Sequence, residues 1–275
     1  MSKEKEIISI QNLSTSLIDS YPNHPFKVVD DEEMIKLSES IINNGLLLPV
    51  LVRAKDDGRY EMISGHRRLR ASELAGNKTI KAMVCDFDDD TAAIVMVESN
   101  IHQRENMLPS EKAFAYKILY DSMKHQGRKI DLTSVPVAQK LKTSREELAE
   151  KMGISQDQIR RYIRLTKLVP ELLEYMDEGK IALRPGVELS YLDEDCQRDI
   201  VDFIDENESF PSHAQAIRMR RLFENCKLDT KMISKILLEE KPNQREKLVF
   251  RGNKVRNLIP KSVPIEKTEE YVCKA

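Results

Sequence analysis

Two capping boxes stand eleven residues apart, Ser144-x-x-Glu147 and Ser155-x-x-Gln158, on either side of Met152-Gly153-Ile154. In each box a serine hydroxyl can accept from the backbone N–H three residues on, which marks a helix start. Two starts that close together allow one short helix, a tight turn and a second helix. Gly153 supplies the left-handed backbone conformation such a turn needs. Leu148, Ala149, Met152, Ile154, Ile159 and the Tyr162/Ile163 pair seal the two helices across it. Ala149 is small where the backbones cross closely.

This pattern, over 144–166, resembles a helix-turn-helix, whose second helix enters the DNA major groove N-terminus first. Ser155, as cap, with Gln156, Asp157, Arg160 and Arg161, is then placed for base edges, and Arg164 and Lys167 for phosphates. The competing reading is a surface αα-hairpin with a solvated basic face. It ranks lower because the turn glycine, the small crossing residue and the clustered arginines agree. A net charge of −2 argues against a nucleic-acid binder, but its distribution argues otherwise. Ser155–Leu168 sets Arg160, Arg161, Arg164 and Lys167 against Asp157 alone, whereas Glu174–Glu208 holds twelve acids against Lys180, Arg184 and Arg198. Local sign sets the field that a phosphate backbone meets.

Upstream, strand and helix signals alternate. "EIISIQNL" reads as a strand, and "DDEEMIKLSESIINNG" as a helix with Met34, Leu37, Ile41 and Ile42 on one face and Gly45 as its cap. "LLPVLVRA" and "RYEMIS" form a hairpin across Lys55-Asp56-Asp57-Gly58. A helix from Gly65 to Gly76, the strand "TIKAMVCDF" and the helix "DDDTAAIVMVESN" complete an α+β domain over 1–106. From Pro109 the strands disappear. "PSEKAFAYKILYDSMKHQG" is an amphipathic helix with Ala113, Phe114, Ile118 and Met123 as apolar positions, "RKIDLTSVP" reads as a loop, and helical patterns run to 240. The tail, 241–275, carries three prolines and weak periodicity, and is expected to be partly ordered.

No apolar run reaches membrane-spanning length and the N-terminus has no signal segment, so a cytoplasmic protein is expected. The four cysteines are scattered, which predicts neither a zinc site nor a disulfide framework. His102, His125, the acidic 193–208 stretch and the Arg218–Arg221 cluster could serve ligands, but each reads at least as well as solvated surface.

In "YEMISGHRRLRASELAG" a strand enters Gly65 and a helix leaves it. Free backbone N–H groups and the positive end of a helix dipole meet there. Gly65 allows a ligand oxygen close approach, and Arg67 and Arg68 can add charge-assisted bonds. On geometry alone, two exposed helix-start arginines are the slightly better explanation.

The surrounding motifs decide between them. "SGHRRLRASELAG" resembles the Gly-x-Arg-Arg box of the ParB/RepB partition proteins. "SESIINNGLLLPVLVR", "VESNIHQREN", "LPSEKAFAYKILYD", the helix-turn-helix and "VPELLEYMDEGKIALRPGVELSYL" follow in that family's order. The likeness covers roughly residues 7–262 and is similar to the branch found on Firmicutes chromosomes, plasmids and mobile elements.

The resemblance implies a sulfiredoxin-related α+β N-terminal domain followed by an all-α helix-turn-helix domain (107–240). It implies a homodimer on double-stranded DNA with a palindromic site, associated with nucleoid or plasmid, and a ParA-type ATPase as partner. CTP with Mg²⁺ would close the dimer as a clamp. Gly65, His66, Arg67 and Arg68 match the phosphate box; Asn100 and Arg104 fall in the Glu-Asn-x-x-Arg box, with Glu98 and Asn100 the metal candidates. Three departures stand out. Ser99 takes the usual glutamate position, an extra residue precedes Arg104, and Phe26 stands where the first box has arginine. They favour binding over turnover, which leaves CTPase activity possible but doubtful. A transcriptional regulator is the alternative. A sulfiredoxin-like or kinase-like enzyme ranks last, since Gly65 stands where the sulfiredoxin motif has its cysteine and Cys85 lies elsewhere.

Overall fold

The computed structural model describes residues 7–101, 107–131 and 144–239, with the backbone alone at 7, 8 and 126–131. Packing divides the chain after Leu237, and the architecture below belongs to the unit that ends there. Arg104, His102 and the tail 241–275 lie outside the described residues.

Strands β1 (Ile7–Ser14), β2 (Ile18–Asp19), β3 (Val50–Ala54), β4 (Tyr60–Ser64) and β5 (Thr79–Cys85) form one sheet in the order β1-β5-β3-β4-β2. β1/β5 and β3/β4 pair antiparallel, while β3/β5 and β2/β4 pair parallel. The mixed pattern follows from the connections. A five-residue connection, 55–59, with Gly58 at φ 79° joins β3 to β4, whereas α2 (His66–Leu74) carries the chain from β4 to β5. Leu13, Val50, Val52, Met62, Leu69, Ile80 and Val84 fill one side of the sheet. The two-residue β2 has no alternating signal and escapes sequence reading.

Helix α1 (Glu32–Asn44) begins on Asp31, whose carboxylate accepts from the Met34 N–H at 2.8 Å, and ends at Gly45, φ 70°. It packs on α2 through Met34, Ile41 and Ala71. Ile42, expected on the buried face, is 63% exposed. It sits one residue beyond Ile41, about 100° around the helix. α3 (Asp89–Ile101) and α4 (Pro109–Asp131) pack together. α4 runs through Arg128–Asp131, the start of the segment expected to be a loop. Phe114, expected inside, is 40% exposed, while Ala115, Tyr116 and Leu119 are buried instead.

Helices α5 (Ser144–Met152) and α6 (Gln156–Leu165) form the expected pair, with Gly153 at φ 65° between them. They are followed by α7 (Pro170–Asp177), α8 (Leu183–Leu189), α9 (Glu194–Asn207), α10 (His213–Glu224) and α11 (Thr230–Leu237). Ser155 caps α6 by accepting from the Gln158 N–H at 3.2 Å. A full reciprocal capping box occurs at Ser212 and Gln215 of α10, which sequence reading passed over. The fold is therefore an α+β sheet domain followed by an all-α domain. One apolar cluster crosses the expected boundary at 106/107: Phe26, Ile63 and Met96 join Tyr116 and Leu119 of α4 and Leu148, Ala149 and Ile159 of the helix-turn-helix.

Candidate phosphate-binding turn and nucleic-acid interface

β4 is buried along Glu61–Ser64 and delivers the chain into Gly65, φ 109° and ψ 22°, the N-cap of α2. A Cβ there would lie 2.8 Å from Val50 Cγ1 and 3.1 Å from an Arg68 guanidinium nitrogen. Both the conformation and the space thus demand glycine. Gly65 supplies no cap side chain to the first-turn N–H groups of α2. They border a pocket of about 220 Å³ that is walled by His24, Gly65, His66, Arg67, Arg68 and Asn100. The His24 and His66 rings stack at 3.7 Å between centroids, and His24 Nδ1 lies 2.8 Å from the Phe26 carbonyl.

The two arginines do different work. Arg67 lies on the pocket wall and makes a loose pair with Asp31 at 3.4 Å. Arg68 is half-buried and donates to the Leu48 and Pro49 carbonyls at 3.0 and 2.6 Å. Burial pulls its guanidinium below the ordinary arginine value. Arg70, not singled out from sequence, forms a two-bond pair with Asp30 at 3.0 and 2.5 Å, and that pairing holds the Asp30 carboxyl below its ordinary value. Together Arg67 and Arg70 fasten α2 to the entry of α1.

The third box is only partly assembled. Asn100 lines the pocket, with its amide N–H₂ donating to the Met96 carbonyl at 2.8 Å. Ser99 donates to the same carbonyl. Glu98, expected beside a metal with Asn100, pairs with Lys151 of α5 and does not line the pocket. Among the described residues no cluster of His, Cys, Asp and Glu suits a metal ion. Phe26 is 2% exposed inside the shared core. The side chain that replaces the first-box arginine is therefore a packing anchor and offers a phosphate nothing. A larger cavity, about 980 Å³, lies elsewhere, bordered by Glu61, Asp88, Asp89, Asp90, Asp121 and His125. Its one arginine, Arg53, is already paired with Glu61 and Asp89, and the remaining carboxylates disfavour phosphate, so the smaller pocket suits an anion better. Cys85 is buried, and desolvation pushes its thiol up, away from thiolate chemistry.

Along α6, Gln156, Asp157, Arg160 and Arg161 are exposed together, whereas Ile159 and Leu165 are fully buried. Ile159 enters the shared core and Leu165 the core of the helical domain, so the helix is anchored on two sides. Ser155 is exposed and committed to its cap; Lys167 is exposed past the end of the helix. Arg164 departs from expectation. It donates to the Ser190 carbonyl at 2.7 Å and to Ser190 Oγ at 3.2 Å, and its guanidinium lies 4.1 Å from the Tyr191 ring centroid. Arg220 approaches the same ring at 3.6 Å and pairs with Glu188 and Glu224. Arg164 thus fixes α6 to α8 instead of standing free for a phosphate.

Gln197, buried and unremarked in sequence, ties down the turn that follows the same end of α6. Its Oε1 accepts from Val169 N–H at 2.8 Å, and its Nε2 donates to the Lys167 and Leu192 carbonyls at 3.1 and 3.0 Å. A lone glutamine in a helical pattern carries no signal of this role.

Residues 1–101 match the family model for the ParB N-terminal domain, and residues 135–210 match the model for the ParB HTH domain. The chain is 33% identical over 165 residues to stage 0 sporulation protein J of Bacillus subtilis, covering 60% of this chain and 51% of that protein. It is 32% identical over 172 residues to the nucleoid occlusion protein of Halalkalibacterium halodurans, covering 62% and 54%. The chain thus spans about half the length of the curated relatives it matches. Among solved structures, it is similar to the C-terminally truncated chromosome-partitioning protein ParB from Caulobacter crescentus complexed to the centromeric parS site. Identity there is 24% and the TM-score 0.41, over 77% of this chain and 98% of that one. With both domains present in sequence and in this order, the chain belongs to the ParB family.

Proposed function

We propose that this protein is a site-specific DNA-binding partition protein of the ParB type, cytoplasmic and associated with nucleoid or plasmid. It grips a palindromic site as a homodimer and works with a ParA-type ATPase. The observation that carries the reading is the outward face of α6, where Gln156, Asp157, Arg160 and Arg161 stand exposed on a helix anchored in two cores. A rigid helix with its N-terminal turns free is what major-groove readout requires. Arg160 and Arg161 supply the geometry for guanine, worth about 1–3 kcal/mol of discrimination for a good bidentate contact.

The Gly65 turn would hold the phosphates of CTP. First-turn N–H groups of α2, the glycine clearance over Val50 and Arg67 on the wall support an anion there. A pocket of about 220 Å³ matches a phosphate chain better than a whole nucleotide, whose base would lie outside it. A Mg²⁺ ion would be held by the phosphates and Asn100, since Glu98 is engaged by Lys151. With Phe26 packed in the core and Glu98 so engaged, binding without hydrolysis is the expected chemistry.

Genome-wide mapping of bound DNA tests the whole reading. A sharp peak at a palindrome, spreading over neighbouring DNA, is the expected result. Isolated promoter peaks would instead make the protein a transcriptional regulator. Many scattered peaks without spreading would favour the role named for the nucleoid occlusion relative. No enrichment anywhere would sink the DNA reading.

A further inference from the structure

Helix α1 buries Met34, Ser38 and Ile41 on α2 and turns a second face outward. On that face Glu32, Ile35, Glu39 and Ile42 fall within an arc of about 80° at ~100° per residue. Ile35 is 55% exposed and Ile42 63%. Just past the end of the helix come Leu47 and Leu48, exposed by 80% and 69%. Single exposed aliphatics are ordinary, but Ile35 and Ile42 share one helix face, and two more exposed aliphatics follow it within fourteen residues of sequence (35–48), a density that folding alone does not explain. The two leucines do not sit on a slack loop, because Arg68 grips the Leu48 and Pro49 carbonyls. Glu32 and Glu39 of that face are exposed and form no ion pair among the described residues.

The charge selects the occupant. A second copy of this face would set those carboxylates against their equivalents, with Lys36 the sole cation of α1 in reply. Nucleic acid and anionic lipid are repelled in the same way. A helix that carries aliphatic side chains at three- and four-residue spacing, flanked by Lys or Arg, satisfies both the apolar stripe and the carboxylates. We propose that the outer face of α1, with Leu47 and Leu48, is the docking surface for a cationic amphipathic helix of another protein. The surface uses no side chain of the recognition helix or the pocket wall, so it stands or falls apart from the DNA and phosphate readings.

The probes are a synthetic amphipathic Leu/Lys helix and its Leu/Glu counterpart, offered to the full chain with a benzophenone side chain at the exposed Asn43 position. The expected result is saturable binding and an adduct with the Leu/Lys helix alone. Affinity should fall about tenfold or more in the Ile35→Ser/Ile42→Ser variant. Both isoleucines are exposed, so the variant should keep the parent's thermal midpoint. Glu32→Lys/Glu39→Lys should reverse the preference toward the Leu/Glu helix. Equal binding by parent and serine variant overturns the proposal. So does an unchanged preference after the charge swap, an adduct between two copies of the chain, or no adduct with either helix.

Discussion

At position 65 a single methyl group decides whether the turn exists. Alanine would bring its Cβ to 2.8 Å from Val50 Cγ1 while holding φ near 109°. Gly65→Ala should cost about 1–3 kcal/mol in urea denaturation and abolish CTP binding, because relief requires moving the N–H groups that would face phosphate. The neighbouring arginines should separate stability from binding. Arg68→Ala leaves the Leu48 and Pro49 carbonyls without their donor and should lower stability by about 1–3 kcal/mol. Arg67→Ala loses a long surface pair worth less than about 1 kcal/mol, yet should weaken CTP binding in calorimetry. An Arg67→Ala protein that binds CTP as tightly as the parent would remove that residue from the cradle. The Gly-His-Arg-Arg pattern exposed the turn in sequence; it could not tell the arginine braced on backbone carbonyls from the one on the pocket wall. That difference depends on carbonyls some 20 residues away.

The same limit governs the recognition element. Cap, turn glycine and apolar spacing made α5 and α6 legible, because each is a local backbone requirement. Arg164 was legible only as one more cation, since Ser190 and Tyr191, which hold it, come 26 and 27 residues later. This assignment separates three classes of variant. Arg160→Ala and Arg161→Ala should lower affinity for the cognate palindrome while leaving non-specific binding nearly intact. Lys167→Ala should weaken both and flatten the log–log salt dependence by about 0.9 if it meets one phosphate. Arg164→Ala should lower the thermal midpoint and leave the salt slope alone, because its guanidinium serves the protein interior. A slope change for Arg164→Ala equal to that of Lys167→Ala would return that arginine to the DNA surface. Ile42 and Phe114 illustrate the complementary error: a 3.6-residue period ranks faces, but a neighbouring residue is already about 100° away. Which edge of an apolar arc is covered depends on the partner helix.

For the whole molecule, the loss of strand signals near Pro109 suggested two bodies, and the secondary structure does change there. The packing does not divide at that point. Phe26 lies against a cluster that contains Ile63 of the sheet, Met96 of α3, Tyr116 of α4, and Leu148 and Ile159 of the helix-turn-helix. Polar bonds reinforce it. Asp177 of α7 accepts from Ser110 N–H and Oγ at the start of α4 and pairs with Lys27, whose own N–H donates to Glu111. No periodicity reports such a core, because its members come from six segments that sequence order keeps apart. If the core is mechanically one, sheet and recognition helix should open together, and hydrogen exchange should give amides of β4 and α6 the same opening free energy. Phe26→Ala removes a side chain that is 2% exposed and should cost about 3–5 kcal/mol. That loss should be seen equally at β4 and at α5–α6. Amides of α9 and α10 should be affected less, since they rest on the separate cluster around Leu172, Ile200 and Ile204. Loss of protection confined to β4 and α3, with α5 and α6 untouched, would mean that the two halves fold independently despite their contact. Loss shared by the helix-turn-helix would mean that Phe26, beside the proposed phosphate pocket, helps set the rigidity of the helix proposed to face DNA.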